Sequence, residues 1–189
     1  DDSELQAKSP GVMLGYWNNH AATAQVIDAD GWFHTGDQAS ISDSGHVRIT
    51  GRIKDILVLS NGEKIPPGDM ENAIAMDGMI DQVLVVGEGR PYLAALVVVD
   101  ETYWSLRAPG QPYTNEALQR EEVVKEVLSR VRRQLSSFPG YAKIRKAALL
   151  AEPWTLENGL LTPTLKVRKQ QVLERYADLI DRMYGAGPG

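Results

Sequence analysis

The chain has 189 residues, contains no cysteine and carries a formal net charge of −5. Without cysteine it can form neither disulfides nor cysteine-ligated metal sites, and this absence fits a reducing compartment. We therefore expect a cytoplasmic location. The acidic balance gives no general basic surface, so we predict no nucleic-acid partner. No apolar run approaches the length of a membrane span, and no signal-peptide pattern is present.

Histidines are also few. The three of them, at positions 20, 34 and 46, are scattered, so the sequence predicts no histidine-based metal cluster. The hydrophobic content of 43% is ordinary for a globular protein of one or two domains. The first residue is Asp rather than Met, so we interpret the chain as a piece of a longer protein.

Hydrophobic periodicity and turn residues predict a β-rich piece followed by an α+β piece. In the first piece we predict a helix over residues 21–26 and strands over 4–8, 32–34, 37–41, 46–50 and 53–59. In the second we predict helices over 66–75, 121–136 and 167–183, strands over 81–87, 92–100 and 144–150, and a loop over 101–116. The last helix should turn Val172, Leu173, Tyr176, Leu179, Ile180 and Met183 inward.

Asp37 and Arg52 flank a predicted hairpin whose turn is residues 42–45. A hairpin brings its two ends together, so both side chains could face one ligand. A carboxylate accepts hydrogen bonds from sugar hydroxyls, and a guanidinium binds hydroxyl or phosphate oxygens. The pair therefore suits a ribose beside a phosphate. A surface salt bridge across the hairpin is the alternative, and spacing alone leaves both open.

Three ordered motifs carry a family resemblance. They are residues 31–37 (GWFHTGD), residues 51–55 (GRIKD) continuing to 60–67 (SNGEKIPP), and residues 158–168 (NGLLTPTLKVR). Together they resemble the signatures of the adenylate-forming superfamily, which includes acyl-CoA synthetases, peptide-synthetase adenylation domains and luciferases. The sequence Leu-Thr-Pro-Thr before Lys166 is most similar to the long-chain fatty acyl-CoA synthetase branch.

The resemblance implies an α+β fold class in two parts. Residues 1–53 would be the β-rich end of a barrel-like subdomain, the last part of the large N-terminal domain. Residues 54–189 would be the small C-terminal lid domain, a mixed sheet flanked by helices.

The resemblance also assigns roles to individual residues. Asp37 would bind the ribose hydroxyls of ATP or the adenylate, and Arg52 would touch ribose or phosphate oxygens. Lys54 occupies the family's hinge position, where a few residues absorb a large backbone change. Lys166 would neutralise charge on the attacking carboxylate and on the α-phosphate during adenylation. The alternative for each lysine is a solvated surface charge.

A further loop, formed by Gly62, Glu63 and Lys64, would meet the active site during thioester formation, on the CoA side. Its alternative is an ordinary β-turn with solvated charges. His34 lies three residues before Asp37 and could line a ligand, but a packed or surface histidine is the favoured interpretation. Trp32 is expected in the core of the barrel-like part.

Two family motifs are missing from the sequence. It has no Ser/Thr/Gly-rich phosphate loop followed by lysine, and no aromatic-Gly-x-Thr-Glu motif that holds adenine and helps to bind Mg²⁺. Most ligands for the Mg²⁺ that accompanies ATP would therefore lie outside this chain, as would the acyl pocket. Because the chain carries only part of the nucleotide-binding site, it makes too few contacts to bind ATP, and we expect the chain alone to be inactive.

These observations favour the C-terminal fragment of an AMP-forming long-chain fatty acid–CoA ligase, whose substrates are a fatty acid, ATP and the co-substrate CoA. The alternatives are a ligase that loads an acyl-carrier protein, a non-catalytic binding or regulatory module of the same fold, and a structural dimerisation piece. Two associations stay open at this point. They are peripheral membrane association of the parent and self-association of the fragment through apolar faces left bare.

Overall fold

The computed structural model describes residues 3–185, and the chain divides into two compact units. The first unit runs to Ile56 and the second begins at Leu57. Helices and strands occur together in the chain, so the predicted α+β class is confirmed. The assignment of residues 1–53 and 54–189 to two domains of a larger enzyme stays a prediction.

The first unit is built on a three-stranded antiparallel sheet in the order β1-β2-β3. Its elements are β1 (Glu4–Ala7), α1 (His20–Val26), β2 (Phe33–Ile41), β3 (Val47–Arg52) and a 3₁₀ turn (Ile53–Asp55). Asn19 begins α1, because its side chain accepts a hydrogen bond from the Ala22 N–H at 3.0 Å. The sheet is open, and residues 3–185 contain no closed barrel.

No side chain of residues 3–56 is buried. Several large apolar side chains of this unit are exposed instead: Leu14, Tyr16, Trp17, Trp32, Ile41, Val47 and Ile49. The expectation that Trp32 is a core residue is wrong for this chain, because the residue is 40% exposed and lies under the Lys8 ammonium, 5.7 Å from the ring centroid. The first unit therefore keeps its shape by backbone pairing and polar contacts rather than by a core of its own.

The second unit carries the remaining elements. In chain order they are β4 (Leu57–Val58), β5 (Lys64–Ile65), α2 (Pro67–Ile74), β6 (Ile80–Val86), β7 (Leu93–Val99), α3 (Glu101–Arg107), α4 (Asn115–Leu118), α5 (Glu121–Gln134), β8 (Ile144–Leu150), α6 (Lys169–Arg175) and α7 (Ala177–Met183). Strands β4 and β5 form a small hairpin, whereas β6, β7 and β8 form a mixed sheet with β7 at its centre.

The sequence of β7, LAALVVV, explains its central place. Every residue of this strand is buried, so both of its faces must be covered. Its side chains alternate between two apolar clusters: Ala95, Val97 and Val99 belong to one, and Ala94, Leu96 and Val98 to the other. Strand β6 pairs antiparallel with β7, and β8 pairs parallel with it.

Helices supply apolar residues to the two clusters from different parts of the chain. Helices α2, α3 and α5 contribute Met70, Ile74, Trp104, Val123, Val127 and Val131 to the first cluster. Helices α6 and α7, with the segment before them, contribute Trp154, Leu160, Leu161, Val172, Ile180 and Met183 to the second. Within residues 3–185, no helix combines the length and the apolar composition that crossing a bilayer requires.

A partly buried ion pair fixes helix α5. The Arg130 guanidinium lies 3.1 Å from Asp77, whose carboxylate also accepts from the Met79 N–H at 3.1 Å. Arg130 also donates to the Tyr103 hydroxyl. Because Asp77 is only 6% exposed, loss of either partner would leave a charge in a poorly solvated place. The pair ties α5 to the turn between α2 and β6.

Four predictions of element extent are wrong. The strands predicted over 32–34 and 37–41 are one strand, β2. Residues 101–116 are not a loop, because Asp100 accepts from the Tyr103 N–H at 2.6 Å and begins α3, and Thr114 begins α4 in the same way. The Gly and Pro residues at 109–112 hid both capping signals. Residues 53–59 are not one strand either, because the chain makes a 3₁₀ turn first and pairs only over Leu57–Val58.

The predicted helix over residues 167–183 is two helices. Tyr176 lies between them with φ −108° and ψ 20°, outside helical geometry, and its ring packs partly buried against the second cluster. No Gly or Pro marks the break, so tertiary packing decides it. Leu173, which the periodicity predicted inward, is 41% exposed. The strands over 81–87, 92–100 and 144–150 and the helices over 66–75 and 121–136 are confirmed to within two residues.

The Leu96→Ala substitution tests how much β7, which is buried on both faces, contributes to the stability of the protein. Leu96 is fully buried at the centre of β7, so we expect the free energy of unfolding to fall by about 2–5 kcal/mol, measured by denaturant titration of tryptophan fluorescence. Leu106→Ala is the matched control, because Leu106 is 79% exposed on α3 and should change stability by less than about 0.5 kcal/mol. Equal effects of the two changes would contradict this description of the core.

Candidate functional site

Residues 35–37 form a bulge in strand β2. Gln6 pairs with His34 and Glu4 pairs with Gln38, so the three residues 35–37 lie opposite Leu5 alone. Gly36 has φ +72°, a left-handed conformation that glycine adopts without the steric cost of a Cβ atom. The conformation of the backbone therefore explains why the second glycine of the GWFHTGD motif, Gly36, stands at this position, where the strand bends.

Side chains of β1 and β2 replace the regular strand hydrogen bonds across this bulge. The Thr35 hydroxyl donates to the Leu5 carbonyl at 2.6 Å, and the Asp37 N–H donates to the Thr35 Oγ1 at 3.1 Å. The Gly36 N–H donates to Glu4 Oε1 at 2.9 Å. Asp37 is thus held by a frame that reaches back to the first strand.

Asp37 and Arg52 face each other as register partners of β2 and β3. The Arg52 Nε donates to Asp37 Oδ1 at 3.0 Å. The Asp37 side chain is 28% exposed and that of Arg52 is 67% exposed, so a ligand can reach both from solvent. The structure brings the two residues together as the hairpin argument required, and an exposed pair of this kind is worth little as a stabilising salt bridge.

Lys54 lies exposed in the 3₁₀ turn Ile53–Asp55, directly before the division of the chain at Ile56 and Leu57. Gly62, Glu63 and Lys64 lie exposed at and after the tip of the β4–β5 hairpin. Gly62 has φ +84° and no atom within 4 Å of the place where a Cβ would stand, so the backbone at this tip is open to a ligand.

Lys166 stands in a tight loop that precedes α6. Leu161 and Val167 form an isolated bridge at its base. Inside the loop the Thr162 N–H donates to the Lys166 carbonyl at 2.8 Å, and the Lys166 N–H donates to Thr162 Oγ1 at 3.0 Å. Leu165 has φ +59°, which is strained for a residue with a Cβ. These constraints fix the backbone of Lys166, whose exposed ammonium makes no ion pair with residues 3–185.

A basic cleft lies elsewhere in the second unit, and sequence reasoning missed it. We use this name for the cavity of about 470 Å³ lined by Arg132, Leu135, Ser136, Phe138, Pro139, Ala142, Lys143, Ile144 and Arg145. Its floor is apolar, and its three cations are exposed and make no ion pair with a carboxylate of the described chain. Arg145 lies over the Tyr92 ring, 5.6 Å from its centroid, at the point where β8 has one extra residue.

The signal for this cleft was present in the sequence. Residues 127–151 contain six Lys or Arg and no Asp or Glu, although the whole chain is acidic. Net charge alone hid this local reversal. Three cations without a carboxylate partner, around an apolar floor, suit a ligand that combines phosphate groups with a ring or chain.

The other singled-out residues have structural partners. The Glu71 carboxylate accepts from the Val85 N–H at 2.9 Å, so it links α2 to β6. The His34 ring contacts Glu4 and Asp28, and the His46 ring contacts the Ser44 hydroxyl. Within residues 3–185 no three His, Asp or Glu side chains are grouped closely enough to hold a metal ion.

Sequence comparison places the second unit in a known family. The profile described as AMP-binding enzyme C-terminal domain matches residues 54–187. Among curated relatives, the probable acyl-activating enzyme 16, chloroplastic, of Arabidopsis thaliana is 34% identical over 95% of the chain and 27% of its own length. The long-chain-fatty-acid–CoA ligase FadD15 of Mycobacterium tuberculosis is 32% identical over 97% of the chain and 31% of its own length.

A relative with a different thiol partner is equally similar. The long-chain-fatty-acid–[acyl-carrier-protein] ligase AEE15 of Arabidopsis thaliana, chloroplastic, is 32% identical over 95% of the chain and 25% of its own length. The chain therefore spans about a quarter to a third of the length of the curated relatives it matches.

Solved structures agree with this placement. The A-PCP didomain of carboxylic acid reductase from Segniliparus rugosus, solved in complex with AMP, superposes with a TM-score of 0.82 and 26% identity over 96% of the chain and 24% of that structure. The adenylation domain of a carboxylate reductase from Mycobacterium chelonae gives 0.81 at 23% identity over 98% of the chain and 28% of that structure, which supports the fold. The family profile covers more than half of the residues of this chain. The chain therefore belongs to the AMP-binding enzyme C-terminal domain family of adenylate-forming enzymes.

Proposed function

We propose that this chain is the C-terminal part of an ATP-dependent, AMP-forming long-chain fatty acid–CoA ligase. The observation that carries the proposal is Lys166, which the family match includes and which the loop presents as an exposed, unpaired ammonium on a constrained backbone. The similarity to curated fatty acid ligases, including FadD15, supports the substrate class. The missing phosphate-loop and adenine motifs would come from the rest of the enzyme, in the cytoplasm.

The parent reaction has two steps. In the first, a fatty carboxylate oxygen attacks the α-phosphorus of ATP, and pyrophosphate leaves with the bonding electrons. In the second, the CoA thiolate attacks the acyl carbon of the adenylate, and AMP leaves. Negative charge develops around the α-phosphate in the first step, where a positioned ammonium stabilises it most. Mg²⁺, bound by groups outside residues 3–185, would add to that stabilisation.

Each candidate residue has a place in this scheme. Lys166 would serve the first step. Asp37 would accept hydrogen bonds from the ribose hydroxyls, and Arg52 would contact the same nucleotide. The second unit would rotate about Lys54 between the steps, withdrawing Lys166 and presenting the Gly62, Glu63 and Lys64 loop to the thioester reaction. The first unit supplies only Asp37 and Arg52 to the nucleotide in this scheme, so the remaining contacts would come from the rest of the enzyme.

The basic cleft favours CoA over a carrier protein as the thiol partner. Both partners end in the same pantetheine arm, so the lid motifs do not separate them. Only free CoA brings an adenine ring and three phosphate groups. Three exposed cations over an apolar floor match that combination. The similarity to the carrier-protein ligase AEE15 keeps the second partner as the rival.

The Lys166→Ala substitution tests the catalytic role. The complete enzyme can be assembled by fusing this chain to the N-terminal portion of FadD15, whose C-terminal region it matches. We expect the rate of the adenylation half-reaction, measured as the release of pyrophosphate, to fall by at least about 10²–10³-fold. Thioester formation from added acyl-adenylate should be unchanged. The control is Arg168→Ala, an exposed cation two residues away, which should leave both steps intact.

Unchanged adenylation in the Lys166→Ala fusion would remove the assigned role and favour a binding or regulatory module of the same fold. Equal loss in both half-reactions would also contradict the assignment, because it would indicate damage to the fold. A fusion that melts cooperatively and still forms no acyl-adenylate with the unmodified chain would overturn the ligase proposal itself.

The chain by itself should form no acyl-CoA from a fatty acid, ATP and CoA. The physical reason is that it carries only part of the nucleotide site. Mass spectrometry of the products would detect turnover, and measurable acyl-CoA would refute this expectation. Sedimentation of the same sample would reveal whether the exposed apolar residues of the first unit drive self-association.

The double variant Arg132→Ala, Lys143→Ala tests the basic cleft in the fusion. Loss of charged contacts to phosphate should raise the KM for CoA by roughly tenfold or more and leave the KM for ATP unchanged. Lys125→Ala, an exposed cation on the same helix as Arg132, is the matched control. If turnover with acyl-carrier protein exceeds that with CoA, or if the KM for CoA is unaffected, the rival partner gains the support.

A further inference from the structure

We infer that Glu4 and His34 are positioning residues for the ribose-binding carboxylate of Asp37, and that the charge on His34 tunes the affinity of the site for nucleotide. The inference rests on the proposed function, and it adds a pH response that the family match does not assign. Neither residue touches the nucleotide in this proposal. Both act through the bulge that presents Asp37.

Glu4 supplies a hydrogen-bond acceptor to the backbone of the bulge. Because residues 35–37 lie opposite a single residue of β1, the backbone groups of the bulge cannot all pair with that strand. The Gly36 N–H is directed to the side chain of Glu4 instead, at 2.9 Å from Oε1. An anionic acceptor makes a stronger hydrogen bond than a neutral one. Gly36 directly precedes Asp37, so this bond helps to set the backbone from which the carboxylate projects.

The second oxygen of Glu4 is held by His34. Glu4 Oε2 lies 2.7 Å from the His34 Nδ1, so one carboxylate joins the imidazole of β2 to the backbone of the bulge in the same strand. The Glu4 side chain is 19% exposed and the His34 side chain is 34% exposed, so the pair is partly shielded from water. The Gln6 amide, 3.2 Å from the same ring nitrogen, is the neutral neighbour.

Two carboxylates face the imidazole. Glu4 comes from β1, and Asp28, whose Oδ2 is 3.7 Å from Nε2, comes from the turn after α1. The hydrogen bond that Glu4 accepts from the imidazole, followed by the charges of Glu4 and Asp28, raises the pKa of His34 above its ordinary value of 6.5. The same contact with His34 lowers the pKa of Glu4 below 4.5.

These directions define the pH window of the pair. His34 is protonated below its raised pKa and loses the charge as the pH rises through it. Glu4 is ionised above its lowered pKa and loses the charge only as the pH falls through it. The complete ion pair therefore exists between the two pKa values, and it is lost as the pH rises through the raised pKa of His34. Above that limit Glu4 loses its cationic partner, and the bulge is held less firmly.

A ribose contact is made equally in the ground state and in the transition state of adenylation. A looser bulge should therefore raise the KM for ATP and leave kcat nearly unchanged. This split separates Glu4 and His34 from Lys166, whose loss should lower kcat. It also separates positioning from a general loss of stability, which would lower the amount of active enzyme.

The first experiment uses the isolated chain and needs no activity. In ¹⁵N-labelled protein titrated from pH 5 to 9, the Gly36 amide shift and the His34 ring shift should change with the same midpoint, above 6.5. In Glu4→Gln the His34 midpoint should fall toward 6.5, and the response of Gly36 should disappear. His46→Gln is the matched control, because His46 contacts Ser44 rather than a carboxylate, and it should change neither signal.

The second experiment uses the FadD15 fusion. Glu4→Ala should raise the KM for ATP about tenfold at pH 6, with kcat within about twofold of the unmodified value. Glu4→Gln keeps an oxygen that can accept from the Gly36 N–H but loses the ion pair with His34, so its KM for ATP at pH 6 should lie between those of Glu4→Ala and the unmodified fusion. In the unmodified fusion the KM for ATP should rise by about fivefold from pH 6 to 9, and His34→Gln should remove that inflection.

The outcomes separate cleanly. A Gly36 amide that does not follow His34, or that follows it equally in Glu4→Gln, would overturn the inference. A KM for ATP that is unchanged in Glu4→Ala, or a loss confined to kcat, would overturn it as well. An inactive unmodified fusion would count against the proposed function alone, since the amide titration still decides the inference.

Discussion

The second unit depends on one constraint, the burial of both faces of β7. A strand that is apolar at every position must be covered on two sides, so the chain has to place helices on each face of a short mixed sheet. Helix α5 packs against one cluster and α6 with α7 against the other. This arrangement leaves the charged ends of those elements at the surface, where Lys166 and the cations of the basic cleft lie.

The first unit is held in another way. It has no buried side chain among residues 3–56, and its strands are joined at the bulge by hydroxyl, carboxylate and amide contacts. Such contacts have more directional geometry than apolar packing does. A site made of them can present a carboxylate precisely although the surrounding unit has little core, and it can respond to protonation where an apolar core could not.

The two units also differ in the charged groups that they present. The second unit presents exposed cations on a scaffold with a buried core. The first unit places the Asp37 carboxylate opposite the Arg52 guanidinium on neighbouring strands. Gly36, directly before Asp37, has a positive φ that glycine adopts most readily. The large apolar residues of the first unit stay exposed, so they add little to a core within it.

Much of the fold could be predicted because its signals are local. Alternating or continuous apolar runs gave β6, β7 and β8, and the apolar stripe of α5 was plain. The helices within residues 101–116 were missed because their signals are single capping residues, Asp100 and Thr114, beside a stretch rich in Gly and Pro. The break at Tyr176 has no composition signal at all, since packing of one ring against the second cluster decides it.

The sequence by itself determined the residue types of the candidate site, the hairpin that makes Asp37 and Arg52 neighbours, and the family. Periodicity and turn chemistry act over a few residues, so a linear string contains them. Only the tertiary structure decided that Glu4 reaches Gly36 and His34, some 30 positions away, and that Arg132 and Lys143 share a cavity. Those contacts depend on strand register and on the meeting of a helix end with a distant strand, which no local pattern encodes.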